Sequence, residues 1–198
     1  MTATPTDFIY KPATILDPLD WREVFGRVAP LEIDVGCGKG NFLAWAARQR
    51  PGHNFLGVDR QLVRLRKVEK KIRRDKLTNA RLLRLEFSYL IERLIPDGSV
   101  AAYYVFFPDP WPKRRHAGNR LFQESFVGHL RRTLGERGVL NVATDNAPYF
   151  GRITELMNAS PHFAGEPTEP LPGEAQTEFE KIFLAKGDPI YRARWRKR

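Results

Sequence analysis

The sequence LEIDVGCGKGN, at residues 31–41, carries the strongest indication of the fold. It places an apolar strand and an acidic residue before three glycines that alternate with other residues. Glycine permits tight turns and close backbone approaches that a side chain would prevent. A second apolar run, residues 54–58, ends on Asp59, and an acid at such a strand tip suits the two hydroxyl groups of a ribose. The pattern predicts a nucleoside cofactor lying across the first two strands of an α/β sheet.

The spacing of the glycines distinguishes between cofactors. A dinucleotide-binding turn has the pattern G-x-G-x-x-G, and here Asn41 occupies the place of the third glycine. The observed order, with Asp34 followed by G-x-G-x-G, is typical of S-adenosylmethionine-dependent methyltransferases. A pyrophosphate favours helix amides without a nearby carboxylate, whereas the ammonium group of a methionine moiety is attracted to one. Asp34 therefore favours a cationic ligand, and a nicotinamide dehydrogenase is the disfavoured alternative.

Composition limits the classes of protein and partner. The 198 residues suit one α/β domain at 31–198, and residues 1–30 are predicted to be an extension packed on or near the cofactor site. Lysine and arginine number 33 against 23 acidic residues, and the formal charge of +10 favours a polyanionic partner. Cys37 is the single cysteine, so neither a disulfide framework nor a cysteine metal site is expected. No apolar run is long enough to span a membrane, so we expect a cytoplasmic protein without a membrane partner. We also expect no metal.

Apolar runs and amphipathic stretches alternate from residue 31 onward, which predicts a doubly wound α/β fold. Strands are expected at 31–35, 54–58, 80–85, 100–107 and 138–144, and helices near 41–50, 60–76, 87–94, 119–134 and 147–158. The run at 100–107 is apolar on both faces, as a central parallel strand should be. Residues 160–176 read as a surface loop, 177–185 as a last strand, and the remainder as a basic tail. Ligands of such a sheet bind at the carboxyl ends of its strands.

The segment after the predicted central strand, residues 107–116, reads FPDPWPKRRH. Three alternate prolines fix φ and remove amide donors, so this segment must leave the sheet as a stiff loop. It presents Asp109, Trp111 and a run of basic residues where a ligand would bind. The set suits a purine nucleotide, because a carboxylate can accept from a base edge, an aromatic ring can stack and cations can hold phosphates. A rigid turn with a buried tryptophan and solvated cations is the alternative.

Five stretches of the chain resemble the bacterial single-chain tRNA (guanine-N7)-methyltransferases. In the family's order they are IDVGCGKG (33–40), FLGVD (55–59), FFPDPWPKRRH (106–116), ATDNAPYF (143–150) and TEFEKIFLAKGDPIYRA (177–193). FPDPWPK together with a late TEFE is far more specific than the glycine turn. The resemblance implies a Rossmann-like class I S-adenosylmethionine-dependent methyltransferase with a mostly parallel seven-stranded sheet and an antiparallel last strand. It also implies methylation of guanine N7 at position 46 of the tRNA variable loop, by a monomer or homodimer.

The resemblance further implies which residues bind the S-adenosylmethionine cofactor. They are Asp34, Gly36, Gly38, Gly40, Asp59, Glu86 and Asp109. Asp34 is expected near the methionine end, Asp59 on the ribose and Glu86 near the exocyclic amine of adenine. The family usually has aspartate where Glu86 stands. A solvent-facing Glu86 that begins a helix is the alternative, because negative charge is favourable there.

Substrate contacts are implied for a second set of residues. They are Lys113, Asp145, Thr177, Glu178, Phe179 and Glu180. Asp145 or Asn146 could instead cap the helix whose first turn contains Pro148. In a strand at 177–180, Thr177 and Phe179 share one face, with the two glutamates on the other. That second face could be solvated, or Glu180 could bind the donors on the Watson–Crick edge of guanine.

The chemistry of the target atom sets what catalysis requires. Guanine N7 carries no proton to remove, so the reaction needs neither a general base nor a covalent cysteine. Catalysis must hold N7, the methyl carbon and sulfur collinear, and a fixed carboxylate stabilises positive charge as it moves onto the purine. Asp109 is expected in that electrostatic and orienting role.

Basic residues are expected to hold the tRNA backbone, with binding that weakens steeply in salt. The predicted phosphate contacts are Arg66, Lys70, Arg73, Arg114, Arg115 and His116, and the basic tail around Trp195 forms a further cluster. A solvated helix face is the alternative for part of the cations at 64–76. Two other functions remain open. One is a non-catalytic RNA-binding protein with a methyltransferase fold, and the other is a methyltransferase for a small amine or another nucleic-acid base such as DNA adenine.

Overall fold

The computed structural model describes residues 7–111, 118 and 120–198, and eight strands within these ranges form one sheet. The strands are β1 (Ile9–Tyr10), β2 (Leu31–Val35), β3 (Asn54–Asp59), β4 (Ala80–Arg84), β5 (Val100–Phe106), β6 (Leu134–Thr144), β7 (Phe163–Glu166) and β8 (Tyr191–Lys197). The helices are α1 (Trp21–Phe25), α2 (Asn41–Gln49), α3 (Leu62–Arg74), α4 (Phe87–Tyr89), α5 (Glu124–Thr133), α6 (Ala147–Ala159) and α7 (Glu178–Ala185). A π-helical turn, Leu90–Leu94, continues α4.

The strand order β1-β4-β3-β2-β5-β6-β8-β7 is that of a doubly wound sheet. All strands are parallel except β8, which runs antiparallel to both β6 and β7. The chain moves outward from β2 to β4 and then returns to β5 on the other side of β2, which creates a switch point between β2 and β5. Asp34 in β2 lies opposite Gly57 in β3 and Tyr104 in β5, next to this switch point. The predicted fold class is confirmed, and the two-residue β1 beside β4 adds an eighth strand to the expected seven.

Apolar layers cover both faces of the sheet. On one face α2 and α3 pack through Phe42, Leu43 and Val68, all at most 2% exposed, as the periodicity of residues 41–50 predicts. The other face is covered by α5 and α6 together with the π-helical turn. Tyr103 of β5 is fully buried there and donates to Thr133 Oγ1 at 2.8 Å. β5 is therefore the central, doubly covered strand that its apolar sequence predicts.

The prediction of a strand at 177–185 is wrong, because residues 178–185 form α7. Thr177 caps this helix by accepting from the backbone N–H of Glu180 at 3.1 Å. The apolar side chains of Phe179, Ile182 and Phe183 recur three and four residues apart, which is the helical period. Thr177 and Phe179 consequently do not share a strand face, and neither do Glu178 and Glu180.

The carboxyl-terminal quarter contains two strands that the sequence pattern did not predict. β7 lies inside the expected loop at 160–176, and the expected basic tail is β8. Trp195 of β8 is 2% exposed and donates its indole N–H to Asn158 Oδ1 at 2.9 Å, so it is a core residue. Arg194 and Arg196 point to the same side of β8 and both bind Glu166 of β7. Among the described residues, no helix is long and apolar enough to cross a membrane.

Candidate active site

The glycine turn joins β2 to α2 at the switch point. Gly36, Gly38 and Gly40 have φ angles of 69°, 54° and 68°, a left-handed conformation that is unfavourable for other residues. A Cβ at Gly40 would lie 2.4 Å from Val68 Cγ1, so α3 packs directly against the turn. A Cβ at Gly36 would meet no atom within 4 Å. The turn is thus closely packed against α3 at Gly40, whereas at Gly36 a ligand could approach the backbone.

Two buried carboxylates flank this turn. Asp34 is 5% exposed and Asp59 is 7% exposed. Burial, and secondarily the charge of Asp59, raises the pKa of Asp34 to about 7. A cation placed beside Asp34 would relieve both effects, because it would favour the ionised carboxylate.

Asp59 has one oxygen in use and one available. Its Oδ1 accepts from the backbone N–H of Gln61 at 2.8 Å. Its Oδ2 is buried without a hydrogen bond to any residue that the structure describes, and Arg64 Nη1 lies 3.7 Å away. A buried acceptor without a donor is unfavourable, so a hydroxyl group supplied by a ligand would satisfy Asp59 Oδ2. A nucleoside that carries a positive group fits these two carboxylates.

Cys37 lies within the turn but is not available for covalent chemistry. Its side chain is buried, and burial, followed by the charges of Asp34 and Asp59, raises the pKa of the thiol well above its usual range. The thiolate is the nucleophilic form of cysteine, so Cys37 is unreactive at neutral pH. This agrees with a reaction that needs no cysteine nucleophile.

Glu86 follows β4 at the same edge of the sheet. It is exposed and caps α4 by accepting from the backbone N–H of Tyr89 at 3.1 Å through Oε2. Ser88 Oγ lies 3.4 Å from Oε1. The capping role considered from the sequence is therefore present, while the exposed carboxylate still borders the carboxyl edge next to Asp59.

The loop after β5 turns sharply away from the sheet. Phe107 has a φ of 55°, which is rare for a bulky residue and marks a backbone held by its surroundings. Its N–H donates to Ala143 O at 2.7 Å, so the turn is fixed to β6. Asp109 comes two residues later and is exposed. The central strand thus delivers this carboxylate to the carboxyl edge.

Arg120 fixes the loop from the other side. Its Nε donates to Pro110 O at 2.7 Å and its Nη2 to Trp111 O at 2.9 Å. The guanidinium carbon also lies 5.5 Å from the ring centre of Tyr149. Pro110, Arg120 and Tyr149, with two residues at the start of α6, line a pocket of about 190 Å³ next to Asp109. The guanidinium of Arg120 thus makes two hydrogen bonds to the loop backbone and a cation–π contact to Tyr149. Together these contacts fix the backbone beside Asp109.

The first turn of α7 is attached to the glycine turn. Lys39 Nζ lies 2.7 Å from Glu178 Oε2, and Asn41 Nδ2 donates to Glu178 Oε1 at 3.0 Å. These two contacts, the Lys39 hydrogen bond first, lower the pKa of Glu178. Lys71 of α3 binds Asn41 Oδ1 and, at 3.1 Å, Lys39 O. The start of α7 therefore rests over the edge of the predicted cofactor site.

Glu180 and Phe179 have opposite environments within α7. Glu180 is fully buried, with Oε1 bound to Arg192 of β8 and Oε2 without a hydrogen-bond partner in the described part of the chain. Phe179 is 51% exposed and lies near Phe107 and Phe183, with ring centroids 6.3 Å from each. A solvated Glu180 is excluded, and α7 instead presents an aromatic surface beside the loop that carries Asp109.

The remaining predicted substrate residues lie at several places. Asn146 caps α6 by accepting from the N–H of Tyr149 at 2.9 Å, so Asp145 does not serve as the cap. Arg66, Lys70 and Arg73 are exposed on α3, and Arg73 pairs with Glu69 at 2.8 Å. Four of the predicted contacts lie outside the described residues: Lys113, Arg114, Arg115 and His116.

Comparison with known proteins agrees with this arrangement. Residues 28–193 match the family described as putative methyltransferase. A tRNA (guanine-N(7)-)-methyltransferase of Geobacter metallireducens is 32% identical over 202 residues, which cover 100% of this chain and 96% of that protein. This chain belongs to the tRNA (guanine-N7)-methyltransferase family. A relative of the same name from Thermotoga maritima is 33% identical over 88% of this chain, and the chain spans only 56% of that protein's length.

The fold of this tRNA (guanine-N7)-methyltransferase family member recurs in solved structures. The 16S rRNA methyltransferase KamB aligns with a TM-score of 0.65 and covers 89% of this chain and 91% of its own, at 17% identity. At that identity the likeness shows the fold, which is that of class I S-adenosylmethionine-dependent methyltransferases.

Several residues at the edge of the site escaped the sequence analysis. They are Lys39, Arg120 and Tyr149, together with the side chain of Asn41. Each acts through a partner that is distant in sequence, such as Asn41 with Glu178, so no local pattern marks them. In the part of the chain that the structure describes, no group of three or more His, Cys, Asp or Glu side chains could hold a metal ion.

Proposed function

We propose that the protein transfers a methyl group from S-adenosylmethionine to N7 of guanine in tRNA, forming 7-methylguanosine at position 46 of the variable loop. Membership of the family supports the reaction and the substrate class. The observation that carries the proposal for this chain is the pair of buried carboxylates, Asp34 and Asp59, beside an open glycine turn. A cationic nucleoside satisfies both carboxylates.

The cofactor residues follow from this pair. Asp34 binds the ammonium group of the methionine moiety, and Asp59 Oδ2 accepts from a ribose hydroxyl. The main chain at Gly36, Gly38 and Gly40 lies beneath the methionine part. Glu86, at the end of the next strand, approaches the amine of adenine. The raised pKa of Asp34 supports a cation at that position, since an anionic ligand would raise it further.

When bound, S-adenosylmethionine supplies an electrophilic methyl group that guanine N7 attacks in line, without loss of a proton. The chain then has two tasks, which are to align the base and to favour the positive charge that develops on it. Asp109 performs the second task from the loop after β5. Arg120 acts as a positioning residue, because its contacts to Pro110 O and Trp111 O hold the loop that carries Asp109.

The base and the tRNA backbone are held by residues around this centre. Phe179 offers an exposed ring, and Asp145, Thr177 and Glu178 border the same edge. Glu180 acts through its buried pair with Arg192, which ties α7 to β8. Lys113 is assigned to the substrate contacts, and the phosphate contacts are assigned to Arg114, Arg115, His116, Arg66, Lys70 and Arg73.

The function is tested by incubating the protein with labelled S-adenosylmethionine and unmodified tRNA, followed by chemical cleavage at 7-methylguanosine. The expected result is one strand break, at position 46. Asp109→Ala should lower kcat at least about a hundredfold, the effect of losing one transition-state contact worth roughly 3 kcal/mol. Glu169→Gln, a change at an exposed residue, is the matched control and should keep wild-type kcat. Label without a break at guanine, or no label, contradicts the proposal.

A further inference from the structure

A second, strongly cationic pocket lies away from the candidate active site. Its volume is about 520 Å³, and it is lined by Gly128, Arg131, Arg132, His162, Lys197 and Arg198. Apart from the glycine, every lining residue has a basic side chain. None of these residues, all within the described part of the chain, carries a side-chain carboxylate. The pocket therefore has a large local excess of positive charge.

The pocket is at the opposite end of the sheet from the reaction. Arg131 and Arg132 lie in the last turn of α5, immediately before β6 begins, and Lys197 ends the antiparallel β8. Lys197 pairs with Phe163, the first residue of β7. These positions are at the amino ends of the parallel strands. Seven residues of β8 span about 24 Å, so no group bound at the carboxyl edge reaches the pocket unless it belongs to a large molecule.

Neutral carbonyl groups hold two of the cations in place. Arg132 donates to Ile91 O at 2.5 Å, Ile95 O at 2.9 Å and Glu92 O at 3.1 Å. Lys197 Nζ donates to Leu134 O at 2.6 Å. A carbonyl orients a cation without cancelling its charge. Within the described ranges, the one acidic contact of these side chains is between Arg132 and Asp97, whose side chain is 77% exposed.

The arginines on the neighbouring part of β8 differ from those in the pocket. Arg194 and Arg196 both bind Glu166, and Arg192 binds the buried Glu180. Their charges are used within the fold. Arg131, in contrast, is exposed and makes no side-chain hydrogen bond or ion pair with the residues that the structure describes. The pocket thus contains positive charge that the ion pairs among the described residues do not neutralise, with Arg131 as its clearest example.

We propose that this pocket binds a backbone phosphate of the RNA substrate, at a site separate from the one where the target guanine reacts. The proposal rests on the proposed function, because only a polynucleotide has phosphates near both ends of the sheet at once. Phosphate oxygens suit the guanidinium groups of the pocket, and the carbonyl-held side chains present their charge with little loss of conformational freedom.

The test is equilibrium binding of unmodified tRNA, without S-adenosylmethionine, over a series of salt concentrations. Arg131→Gln removes one unpaired charge, and Arg131→Lys retains it. Arg22→Gln is the matched control, because Arg22 is an exposed arginine on α1 that does not line the pocket. Melting temperatures of all variants establish that they fold.

The association constant K for tRNA falls as salt concentration rises. Loss of one phosphate contact should make the plot of log K against log salt concentration less steep by about 0.8 and weaken binding about fivefold near 0.1 M salt. We expect the less steep slope and the weaker binding for Arg131→Gln, together with a raised KM for tRNA and an unchanged kcat. Arg131→Lys and Arg22→Gln should keep the wild-type slope and affinity. Equal slopes for Arg131→Gln and Arg22→Gln would overturn the proposal. So would loss of inorganic tripolyphosphate binding in Arg131→Gln with unchanged tRNA binding, since the pocket would then serve free polyphosphate.

Binding and methyl transfer are scored separately, so the two proposals can fail separately. A reduced salt slope in Arg131→Gln, without any 7-methylguanosine from the wild-type protein, supports the pocket and contradicts the proposed reaction. Formation of 7-methylguanosine by the wild-type protein, with an unchanged salt slope in Arg131→Gln, supports the proposed reaction and contradicts phosphate binding in the pocket.

Discussion

At the scale of single residues, Asp34 has the most consequential environment. It is buried beside a second carboxylate, and its pKa is raised to about 7. An unfolded chain loses the Asp34 proton near its ordinary pKa of about 4, whereas the folded protein keeps it until neutral pH. Between these two values the unfolded state binds fewer protons, so the free energy of unfolding decreases as pH rises. The proposed cofactor site is therefore maintained at a cost in stability.

Replacing Asp34 by asparagine should remove this cost. We compare the free energy of unfolding of Asp34→Asn with that of the wild type. Relative to the wild type, the variant should gain about 3 kcal/mol of stability between pH ~4.5 and pH ~7.5. Urea denaturation of the ligand-free proteins at the two pH values measures it. Asp97→Asn, at an exposed carboxylate, is the control. A difference that does not change with pH would show that Asp34 titrates normally.

The positions of Asp34 and Asp59 could be predicted because each ends or nearly ends an apolar strand, and parallel strands bring their ends together. The environment of Glu180 could not be predicted. Its burial depends on Arg192, which faces it only because β8 returns antiparallel to β6. Similarly, the sequence left two candidates for the α6 cap, and the backbone geometry selects Asn146.

At the scale of elements, the glycine turn couples α2 to α3. Gly40→Ala would combine an unfavourable φ of 68° with a Cβ placed 2.4 Å from Val68 Cγ1. We expect a loss of about 3 kcal/mol in the free energy of unfolding, from backbone strain and overpacking together. Val68→Ala should lower the free energy of unfolding less in the Gly40→Ala background than in the wild type, because it removes the clash between the new Cβ and Val68. The measurement is chemical denaturation of all three variants.

Gly52→Ala provides the control for this series. Gly52 has ordinary φ and no atom within 4 Å of an added Cβ, so the substitution should change stability by less than about 0.5 kcal/mol. If Gly40→Ala behaved like Gly52→Ala, the close packing of α3 against the turn would be wrong.

The contact between α7 and the glycine turn is weak enough to open. The side chains of Lys39 and Glu178 are 60% and 37% exposed, and such ion pairs contribute at most about 1 kcal/mol. Glu178→Gln should therefore change stability little but release S-adenosylmethionine about two to five times faster, because α7 rests over the edge of the site. Stopped-flow displacement measures the dissociation rate. A rate equal to that of Glu169→Gln would mean that α7 does not retain the cofactor.

The helix α7 also shows where the sequence interpretation failed. Thr177-Glu-Phe-Glu alternates in polarity, which favours a strand over four residues. The longer segment has apolar residues at 179, 182 and 183, and Thr177 with Glu180 has the spacing of a helix-capping pair. These signals favoured a helix and were available. The four-residue β7 had no such signal, because its pairing with β8 is set by tertiary structure alone.

At the scale of the whole molecule, charge is divided between two functions. The protein carries a formal charge of +10, which favours a polyanion in general. The carboxyl edge nevertheless concentrates Asp34, Asp59, Glu86, Asp109 and Asp145 where the reaction is proposed. Under the proposed function, a basic surface would attract the nucleic acid, while an acidic centre would select a cationic methyl donor and stabilise the positive charge that forms on the base.

Calorimetric titration with S-adenosylmethionine at two pH values measures whether a cationic nucleoside binds beside an ionised Asp34. Binding requires the deprotonated carboxylate, so the affinity should rise about 15-fold between pH 5.5 and pH 7.0, where the ligand's ammonium group stays charged. 5′-Methylthioadenosine, which lacks the ammonium group, should bind with little pH dependence. Equal pH dependence for the two ligands, or an affinity for S-adenosylmethionine that falls toward neutral pH, would contradict cofactor binding beside an ionised Asp34.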